Sequence, residues 1–377
     1  MWYNRCVLTK KLNEIKHRAL LEALKAEILG NKYAVNRAFP SEAQISRKYK
    51  VSRTTVRKAL DALHHEGWIR SVQGRGTFVT RQGAARKIGL IVPGVAYSEF
   101  FPPIVDEICR LANTHGYTIL LGNATDLHPE KRARQTSAFA HDFVAERVAG
   151  VVYQPIELIP DAEEANREVL SIFTAVNIPV VIIDSDFTKK PRRSGYDVVG
   201  IDNVAAGMAI AGHLLSLGLT KIHFQSRPLC SASVGDRRNG VVAALSSAGV
   251  VARRFRDFKA EPDDIAALKV HLRHGRPEVF VCGNDTAAVK LKISLEKLGY
   301  RIPDDIRLVG FDDVKYAKIV TPQLTTVHQP CEKIAEVAFS RLLARISNSS
   351  LPPCSITLPA DLVVRASSGM PVVRRRC

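Results

Sequence analysis

Residues 40–79 of the 377-residue chain read PSEAQISRKYKVSRTTVRKALDALHHEGWIRSVQGRGTFV. The pattern predicts a short helix, a turn, a second helix and a glycine-rich hairpin. In the second helix Val56, Leu60 and Leu63 recur at i, i+4 and i+7, the spacing of a buried apolar stripe. Arg53 and Arg57 lie four residues apart and share another side of this helix. The helix can therefore pack on a small core and still present cations to a nucleic-acid groove.

The residues around this helix supply the start and stop signals of a small domain. A first helix is predicted over 12–29, where apolar residues follow i, i+4 spacing. Ser52 is placed to cap the helix that carries the two arginines. Two short strands are predicted on either side of residues 73–76, where glycine permits the backbone angles of a tight turn. Arg75, at the tip of this turn, is placed to enter a minor groove.

Residues 40–79 resemble the winged helix-turn-helix of the GntR family of bacterial transcription regulators. The segments that carry the resemblance are Pro40-Ser41-Glu42, Val51 to Leu60, Leu63, Glu66-Gly67 and Gly74 to Val79. The chain departs from the family at residues 36–39, where the family has a Gly-Asp turn and a leucine. The resemblance implies binding of double-stranded operator DNA through Arg53, Thr54, Thr55, Arg57, Gly74 and Arg75.

The charge of the chain is concentrated in its first quarter. The formal net charge is +17, and residues 1–87 hold 19 Lys and Arg against 6 Asp and Glu. The remaining residues hold 35 Lys and Arg against 31 Asp and Glu, so they are close to neutral. A basic head on a near-neutral body indicates a polyanion as the partner of the head. The alternative is a solvated cationic surface without a specific partner.

Composition and cysteine usage favour a cytoplasmic protein that is not bound to a membrane. Hydrophobic residues make up 46% and charged residues 24%, and no apolar run approaches the ~20 residues of a membrane span. The first residues lack the apolar region of a signal peptide. Seven cysteines, an odd number without a CxxC pair, indicate a reducing compartment. No metal site and no cofactor are expected.

Beyond residue 87, apolar runs of strand length alternate with segments of helix length. Continuous apolar runs are typical of parallel strands that are covered on both faces. Eight such runs occur, at residues 88–92, 118–121, 150–153, 180–184, 198–201, 221–224, 279–282 and 308–311. The predicted fold class is α/β, with an N-terminal winged helix-turn-helix and a two-lobed, doubly wound domain. The predicted domains are residues 1–80, a linker at 81–87, the two-lobed domain at 88–368 and a basic tail at 369–377.

Polar residues stand directly after several of the predicted strands. Asp184, Asn284-Asp285 and Asp312-Asp313 each follow an apolar run, as do Asp202 and Asn203. Ligands of doubly wound folds bind beyond the carboxyl ends of the strands, and carboxylates bind the paired hydroxyls of a polyol well. The alternative is that these residues cap the following helices, an explanation that suffices for Asp202 and Asn203.

The body resembles the effector domain of the lactose-repressor family, which is itself similar to periplasmic sugar-binding proteins. The resemblance covers about Ile88 to Ser367. Its motifs include Phe100-Phe101-Pro102, Ile178 to Asp184, Val199 to Asn203, Arg237 to Gly240, Asn284 to Ala288, Gly310 to Asp313 and Pro322 to Val327. The resemblance implies an effector site that contains Asp184, Arg237 and Asp285, with Tyr97 and Glu99 in the loop after the first strand.

A GntR-type head on such a body resembles the layout of the arabinose-operon repressors, with departures at Arg75 and across residues 226–262. The expected function is a repressor of carbohydrate-utilisation genes that binds operator DNA as a homodimer and is released by a small sugar. The alternative is an α/β enzyme that acts on sugars or nucleotides. No GxGxxG follows the first strand, and no GxxxxGK[ST], GxSxG or HExxH motif occurs, so no catalytic residue is expected.

Overall fold

The computed structural model describes residues 17, 19–28, 32–33, 37–65, 67–72, 74–80, 86–92, 94, 98–126, 128–188 and 191–369. The chain divides into two compact units. One unit comprises Met1–Lys87 together with Ala112–Thr118, and the other comprises Ile88–Leu111 and Ile119–Cys377. We call residues 1–87 the head and residues 88–377 the body, because residues 112–118 include the end of a helix and the start of a strand of the body. No helix in the described part of the chain is long and apolar enough to cross a membrane.

The described residues of the head form three helices and a two-stranded hairpin. Helix α1 is helical over 19–28, and it is followed by α2 (Glu42–Tyr49), α3 (Arg53–His65) and the antiparallel strands β1 (Ile69–Val72) and β2 (Gly76–Val79). The beginning of the predicted first helix lies outside the described residues. Buried apolar side chains from all five elements form one core: Leu20, Leu21, Leu24, Ile28, Phe39, Ile45, Val56, Ala59, Leu63, Ile69 and Val79. This arrangement is the winged helix-turn-helix that the sequence predicts.

Short polar side chains fix the two helices of the helix-turn-helix. Ser41 and Gln44 form a capping box at the start of α2, in which Gln44 Oε1 accepts from the Ser41 amide at 2.8 Å. Lys50 ends this helix in the left-handed region, with φ of 51°. Ser52 Oγ then accepts a hydrogen bond from the Thr55 amide at 3.2 Å and caps α3, as predicted.

The body consists of two lobes, each built on a six-stranded sheet. The first lobe contains β3 (Arg86–Ile91), α4 (Phe101–Thr114), β4 (Tyr117–Gly122), α5 (Pro129–Ala145), β5 (Gly150–Tyr153), α6 (Ala162–Thr174), β6 (Val180–Ile183) and β7 (Asp197–Ile201). The second contains α7 (Asn203–Ser216), β8 (Ile222–Ser226), α8 (Ala232–Ser247), a 3₁₀ turn (Ala252–Arg254), β9 (Phe255–Lys259), α9 (Ile265–Arg273), β10 (Val279–Cys282), α10 (Asp285–Lys297), β11 (Arg307–Asp312), α11 (Lys315–Ile319) and β12 (Thr325–His328). The last segments are α12 (Cys331–Ser347), β13 (Ser355–Leu358), β14 (Asp361–Val363) and a 3₁₀ turn (Ala366–Ser368).

The strand order shows that the chain passes between the lobes three times. The first sheet has the order β13-β7-β6-β5-β3-β4, and the second has the order β14-β12-β11-β10-β8-β9. The chain therefore crosses after β7, after β12 and between β13 and β14. Among the pairs of body strands with a described register, only β12 and β14 are antiparallel. Both sheets are thus doubly wound, and β5, β6 and β10 are buried along their whole length, as their continuous apolar sequences predict.

Candidate nucleic-acid interface and effector cavity

Helix α3 separates apolar and cationic side chains onto different faces. Val56, Ala59 and Leu63 are fully buried in the core of the head, whereas Arg53 and Arg57 are exposed. The Arg57 guanidinium lies 3.7 Å from the Glu42 carboxylate, and both side chains are open to solvent. Such an exposed pair contributes little stability, so Arg57 can exchange this carboxylate for a phosphate or a base edge at low cost.

The two threonines at the start of α3 differ in their exposure to solvent. Thr54 is exposed, and its hydroxyl lies 2.9 Å from Ser52 Oγ. Thr55 is only 6% exposed, and its hydroxyl lies 2.8 Å from the same Ser52 oxygen. The Thr55 side chain is therefore part of the helix cap in this structure, and its expected contact with DNA stays a prediction.

The turn between β1 and β2 presents the remaining expected DNA contacts. Gly74, Arg75 and Gly76 are all exposed at its tip. Gly74 has φ of 72° and Gly76 has φ of 103°, backbone angles that glycine adopts without strain. The Arg75 amide donates to Val72 O at 3.0 Å, which closes the turn and holds the arginine at its end.

The body contains a cavity of about 640 Å³ between the carboxyl ends of strands from both lobes. Its lining includes Gln154, Glu157 and Asp184 from the first lobe, which follow β5 and β6. Gln225, Arg237, Asn284, Asp312 and Gln329 line it from the second lobe and from the crossing after β12. The site therefore lies where the doubly wound topology predicts a ligand.

Arg237, on α8, is the most constrained cation of the cavity. It is 3% exposed, and its Nε donates to Asn203 Oδ1 at 2.8 Å. Its Nη1 donates to Gly283 O at 2.7 Å and lies 3.1 Å from Asp312 Oδ1. The guanidinium carbon stands 4.8 Å from the centre of the Phe311 ring. Asn203 therefore helps to orient Arg237. Its neighbour Asp202 caps α7, as expected, by accepting a hydrogen bond from the Ala205 amide at 2.9 Å.

Two glycines bring α8 close enough for Arg237 to reach the cavity. A Cβ atom on Gly207 would lie 2.0 Å from the Arg237 carbonyl oxygen. A Cβ atom on Gly240 would lie 2.0 Å from the Val204 carbonyl oxygen. The backbones of α7 and α8 therefore touch at both positions, and no larger residue fits without separating the helices.

Three carboxyl groups line the inner end of the cavity, and burial raises the pKa of each. Burial raises the pKa of Glu157 to about 8, and the neighbouring Asp184 carboxylate raises it further. Burial raises the pKa of Asp184 to about 6, against the opposing effect of the Arg237 charge. Burial also raises the pKa of Asp312, which Arg237 and Gln329 partly offset. The cavity is therefore acidic, with less than its full formal charge at neutral pH.

The backbone is strained at the same place. Leu158, Asp184 and Asp312 have φ of 63°, 72° and 106°, in the region that favours glycine. The carbonyl of Asp184 approaches Gly200 so closely that a Cβ there would lie 2.0 Å from its oxygen. Unfavourable backbone angles cost about 1–3 kcal/mol each and cluster at ligand sites, where the surrounding fold holds them in place.

Asp285 does not belong to the lining of the cavity. It is fully buried, Thr326 Oγ1 donates to its Oδ1 at 2.7 Å, and the Val314 amide donates to its Oδ2 at 3.1 Å. Burial raises its pKa well above the usual range. Both carboxylate oxygens accept hydrogen bonds beneath the wall, where they fix the loop after β11. The expected contact of Asp285 with the effector stays a prediction.

The two residues expected in the loop after the first strand have different outcomes. Glu99 lines the cavity, but its carboxylate accepts from the Tyr316 hydroxyl at 3.1 Å and pairs with Lys315 Nζ at 2.9 Å. It therefore connects the first lobe to α11 of the second lobe. Tyr97 lies outside the described residues.

Several cavity residues were not singled out in the sequence. Gln154 and Glu157 follow β5, Gln225 lies on β8, and Gln329 follows β12. The signal for Gln154 was available, because it is the first polar residue after the apolar run 150–153. Among the described residues, no group of three or more His, Cys, Asp or Glu is arranged to hold a metal ion.

Known proteins resemble both units of the chain. Residues 16–79 match the bacterial regulatory proteins of the gntR family, and residues 211–368 match the periplasmic binding protein-like domain. The HTH-type transcriptional repressor PurR of Erwinia tasmaniensis is 32% identical over 287 residues, which cover 75% of this chain and 80% of PurR. The chain belongs to the LacI family of transcriptional repressors and carries a GntR-type head.

Two further relatives support this assignment. The arabinose metabolism transcriptional repressor of Geobacillus stearothermophilus is 26% identical over 370 residues, which cover 94% of this chain and 97% of that protein. The crystal structure of the transcription regulator GntR from Chromobacterium violaceum is 26% identical, with a TM-score of 0.60. It covers 75% of this chain and 99% of its own. The LacI-family member described here is thus a transcriptional repressor with the architecture that its sequence predicts.

Proposed function

We propose that this repressor binds a two-fold operator as a homodimer and leaves it when a small hydroxylated effector, a sugar or a related molecule, enters the cavity. The observation that carries the proposal is the division of α3 into a buried apolar face and an exposed face with Arg53 and Arg57. Two such helices, held at a fixed distance by a dimer of bodies, would fit two half-sites of one duplex.

In this proposal each segment of the chain has its own task. Residues 1–80 bind the operator, residues 81–87 connect, residues 88–368 bind the effector and dimerise, and residues 369–377 add positive charge. The protein acts in the cytoplasm, where its DNA lies. The cavity binds its ligand without chemical reaction, a role supported by the named regulators among its relatives.

The effector acts by favouring one arrangement of the two lobes. Glu157 and Asp184 come from the first lobe and Arg237 from the second, so a ligand that contacts all three gains affinity when the lobes are closed. A shift from 1:99 to 99:1 between two arrangements requires about 10⁴-fold tighter binding to the favoured one. The difference in effector affinity between the two lobe arrangements also limits how far the effector can weaken operator binding.

The test is fluorescence anisotropy of a labelled duplex taken from upstream of the repressor's own gene, with a sugar panel added to the complex. We expect tight binding that weakens as salt is raised, and reversal by one class of ligand. Arg53→Ala should reduce operator affinity by about 1–3 kcal/mol if the arginine reads a guanine. Arg253→Ala, which removes an exposed arginine from the body, is the matched control. Equal affinity of the wild type and Arg53→Ala would contradict the proposed interface.

A further inference from the structure

The floor of the effector cavity has more carboxylates than cations to balance them. Arg237 already pairs with Asp312, at 3.1 Å. Asp184 accepts hydrogen bonds from Gln154 and Ser233, which are neutral. Glu157 accepts from Ser185 and from the Ala232 amide, also neutral. Among the described residues no cation lies within ion-pair distance of either carboxyl group, and the Arg237 charge that lowers the pKa of both is shared with Asp312.

The other charged groups of the lining do not remove this imbalance. Arg227 pairs with Glu261 at 3.1 Å, and Lys290 pairs with Asp263 at 3.2 Å. Both cations are thus occupied on the second lobe. The whole lining contains six carboxylates and four cations: Glu99, Asp126, Glu157, Asp184, Glu261 and Asp312 against Arg132, Arg227, Arg237 and Lys290. Glu99 is paired with Lys315, which lies outside the lining, and Arg132 Nε is buried without a hydrogen-bond partner. The carboxyl groups without a nearby cation are therefore Glu157 and Asp184, and an anionic group is unfavourable beside these two.

Three buried glutamines provide a second, independent sign of a missing donor. Gln154, Gln225 and Gln329 line the cavity and are at most 2% exposed. The Oε1 atom of each accepts no hydrogen bond. The amide nitrogens are used in the wall, since Gln225 donates to Ala260 O at 2.9 Å and Gln329 donates to Asp312 Oδ1 at 2.7 Å. Buried acceptors without a donor are costly, so a ligand rich in N–H and O–H groups suits this wall.

We propose that the effector is a polyol that carries a protonated amine, and that its ammonium group binds between Glu157 and Asp184. The inference rests on the proposed effector function of this cavity. An ammonium group has three donors and no acceptor, which matches two carboxylates and an unpartnered amide oxygen. It also places a positive charge beside Asp184, which is buried, and Glu157, which is partly buried. The hydroxyl groups of the same molecule would hydrogen-bond to Arg237 and Asp312.

The acidity of the site supports this assignment. The raised pKa of Glu157 means that its carboxyl holds a proton at neutral pH when the cavity contains no cation. An ammonium group would replace that proton and stabilise the ionised carboxylate. Binding of the amine at pH 7 should therefore release close to one proton per site.

The experiment is isothermal titration calorimetry of the full-length repressor with D-glucosamine, D-galactosamine and D-mannosamine as probes. Each is compared with its parent hexose, its N-acetyl derivative and its 6-phosphate, and each titration is repeated in two buffers of different ionisation enthalpy to count protons. We expect one amine to bind about 10-fold more tightly than its neutral forms, since hydrogen bonds to charged groups are stronger than neutral ones by about this factor. We also expect near-unit proton release.

Glu157→Gln should remove the preference for the amine and the proton release together. Asp184→Asn provides a second variant in case the first does not fold, and Glu168→Gln, an exposed residue of α6, is the control that should keep both. Preference for a neutral sugar or a phosphate, or binding by none of the three amines, would overturn the inference. Operator release by a neutral sugar would then leave the proposed function intact, whereas failure to bind the operator would remove the proposed function itself.

Discussion

Raising the pH from 6 to 8 should destabilise the effector body, and the Glu157→Gln substitution should remove most of that effect. The pKa of Glu157 is raised from 4.5 to about 8 in the folded protein, so the folded state holds a proton that the unfolded chain has already lost. The stabilising contribution of this proton is complete below pH 4.5 and is lost as the pH rises through about 8. The free energy of unfolding must therefore fall across this window.

The size of the effect follows from the two pKa values. At pH 6 the folded carboxyl is protonated, whereas at pH 8 it is about half ionised, and the unfolded carboxylate is ionised throughout. Each proton held by the folded state alone changes the free energy of unfolding by about 1.4 kcal/mol per pH unit. Over two units, with half the proton lost at the end, the decrease is about 2 kcal/mol. Asp184, whose pKa is raised to about 6, is half ionised at pH 6 and loses its remaining half proton inside this window, which adds a smaller decrease.

Urea unfolding of the full chain at pH 6 and pH 8 measures this difference, with far-UV circular dichroism following the body. Trp68 packs against the core of the head, and the body from residue 88 contains no tryptophan. Tryptophan fluorescence therefore follows the head separately and serves as an internal reference. The wild type should lose about 2 kcal/mol more than Glu157→Gln between the two pH values. Glu168→Gln should behave as the wild type. Equal pH dependence of the wild type and Glu157→Gln would show that Glu157 is ionised in the empty cavity and would refute the reasoning.

Three further substitutions test other parts of the structure. Thr55→Val removes a buried capping hydroxyl and should lower the stability of the head by about 1 kcal/mol in tryptophan-monitored urea unfolding. Its operator affinity should stay within about twofold, and a larger loss would identify Thr55 as a DNA contact. Gly207→Ala places a methyl group 2.0 Å from the Arg237 carbonyl and should destabilise the body by about 1–3 kcal/mol in thermal unfolding. Lys315→Ala breaks an exposed pair with Glu99 and should cost less than about 1 kcal/mol, yet speed effector dissociation in stopped flow. An unchanged dissociation rate would show that this pair does not hold the lobes together.

The sequence predicted the parts of the fold that are buried on both sides. All eight apolar runs became strands. Seven of them are largely buried, and a strand covered on both faces has an almost continuous apolar sequence that is easy to recognise. The exception is β4, an edge strand that is partly exposed. The strands that were missed lie at or near the edges of the two sheets. In β13, for example, the residues alternate between exposed and partly buried, and β14 has three residues. Such segments resemble loops in sequence, and only their pairing with a neighbouring strand makes them part of a sheet.

The sequence predicted where in the chain the residues near the cavity lie, but it did not predict which of their side chains face the cavity. The rule that ligands bind beyond the carboxyl ends of strands directed attention to Asp184 and to the pair Asn284-Asp285, and Asp184 and Asn284 line the cavity. At the second place, Asn284 lines the cavity and caps α10, accepting from the Ala287 amide at 2.8 Å. Asp285 is the next residue, and the helix turns its carboxylate away, onto Thr326. Consecutive residues of a helix point in directions that differ by about 100°, so the rotation of α10 about its axis decides whether residue 284 or 285 faces the cavity. The pattern of apolar residues in one sequence does not determine this rotation.

The same pair gives a physical reason for the effector cavity to communicate with the loop after β11. Asn284 faces the cavity, while Asp285 holds the Val314 amide and the Thr326 hydroxyl from behind. Gly310 leaves just enough space, since a Cβ there would lie 2.2 Å from Asp285 Oδ1. Lys315 and Tyr316, which contact Glu99 of the first lobe, follow Val314 directly. A ligand that shifts the start of α10 would therefore move the buried carboxylate, the loop and the inter-lobe contact together, because a close-packed wall has no free space to absorb the displacement.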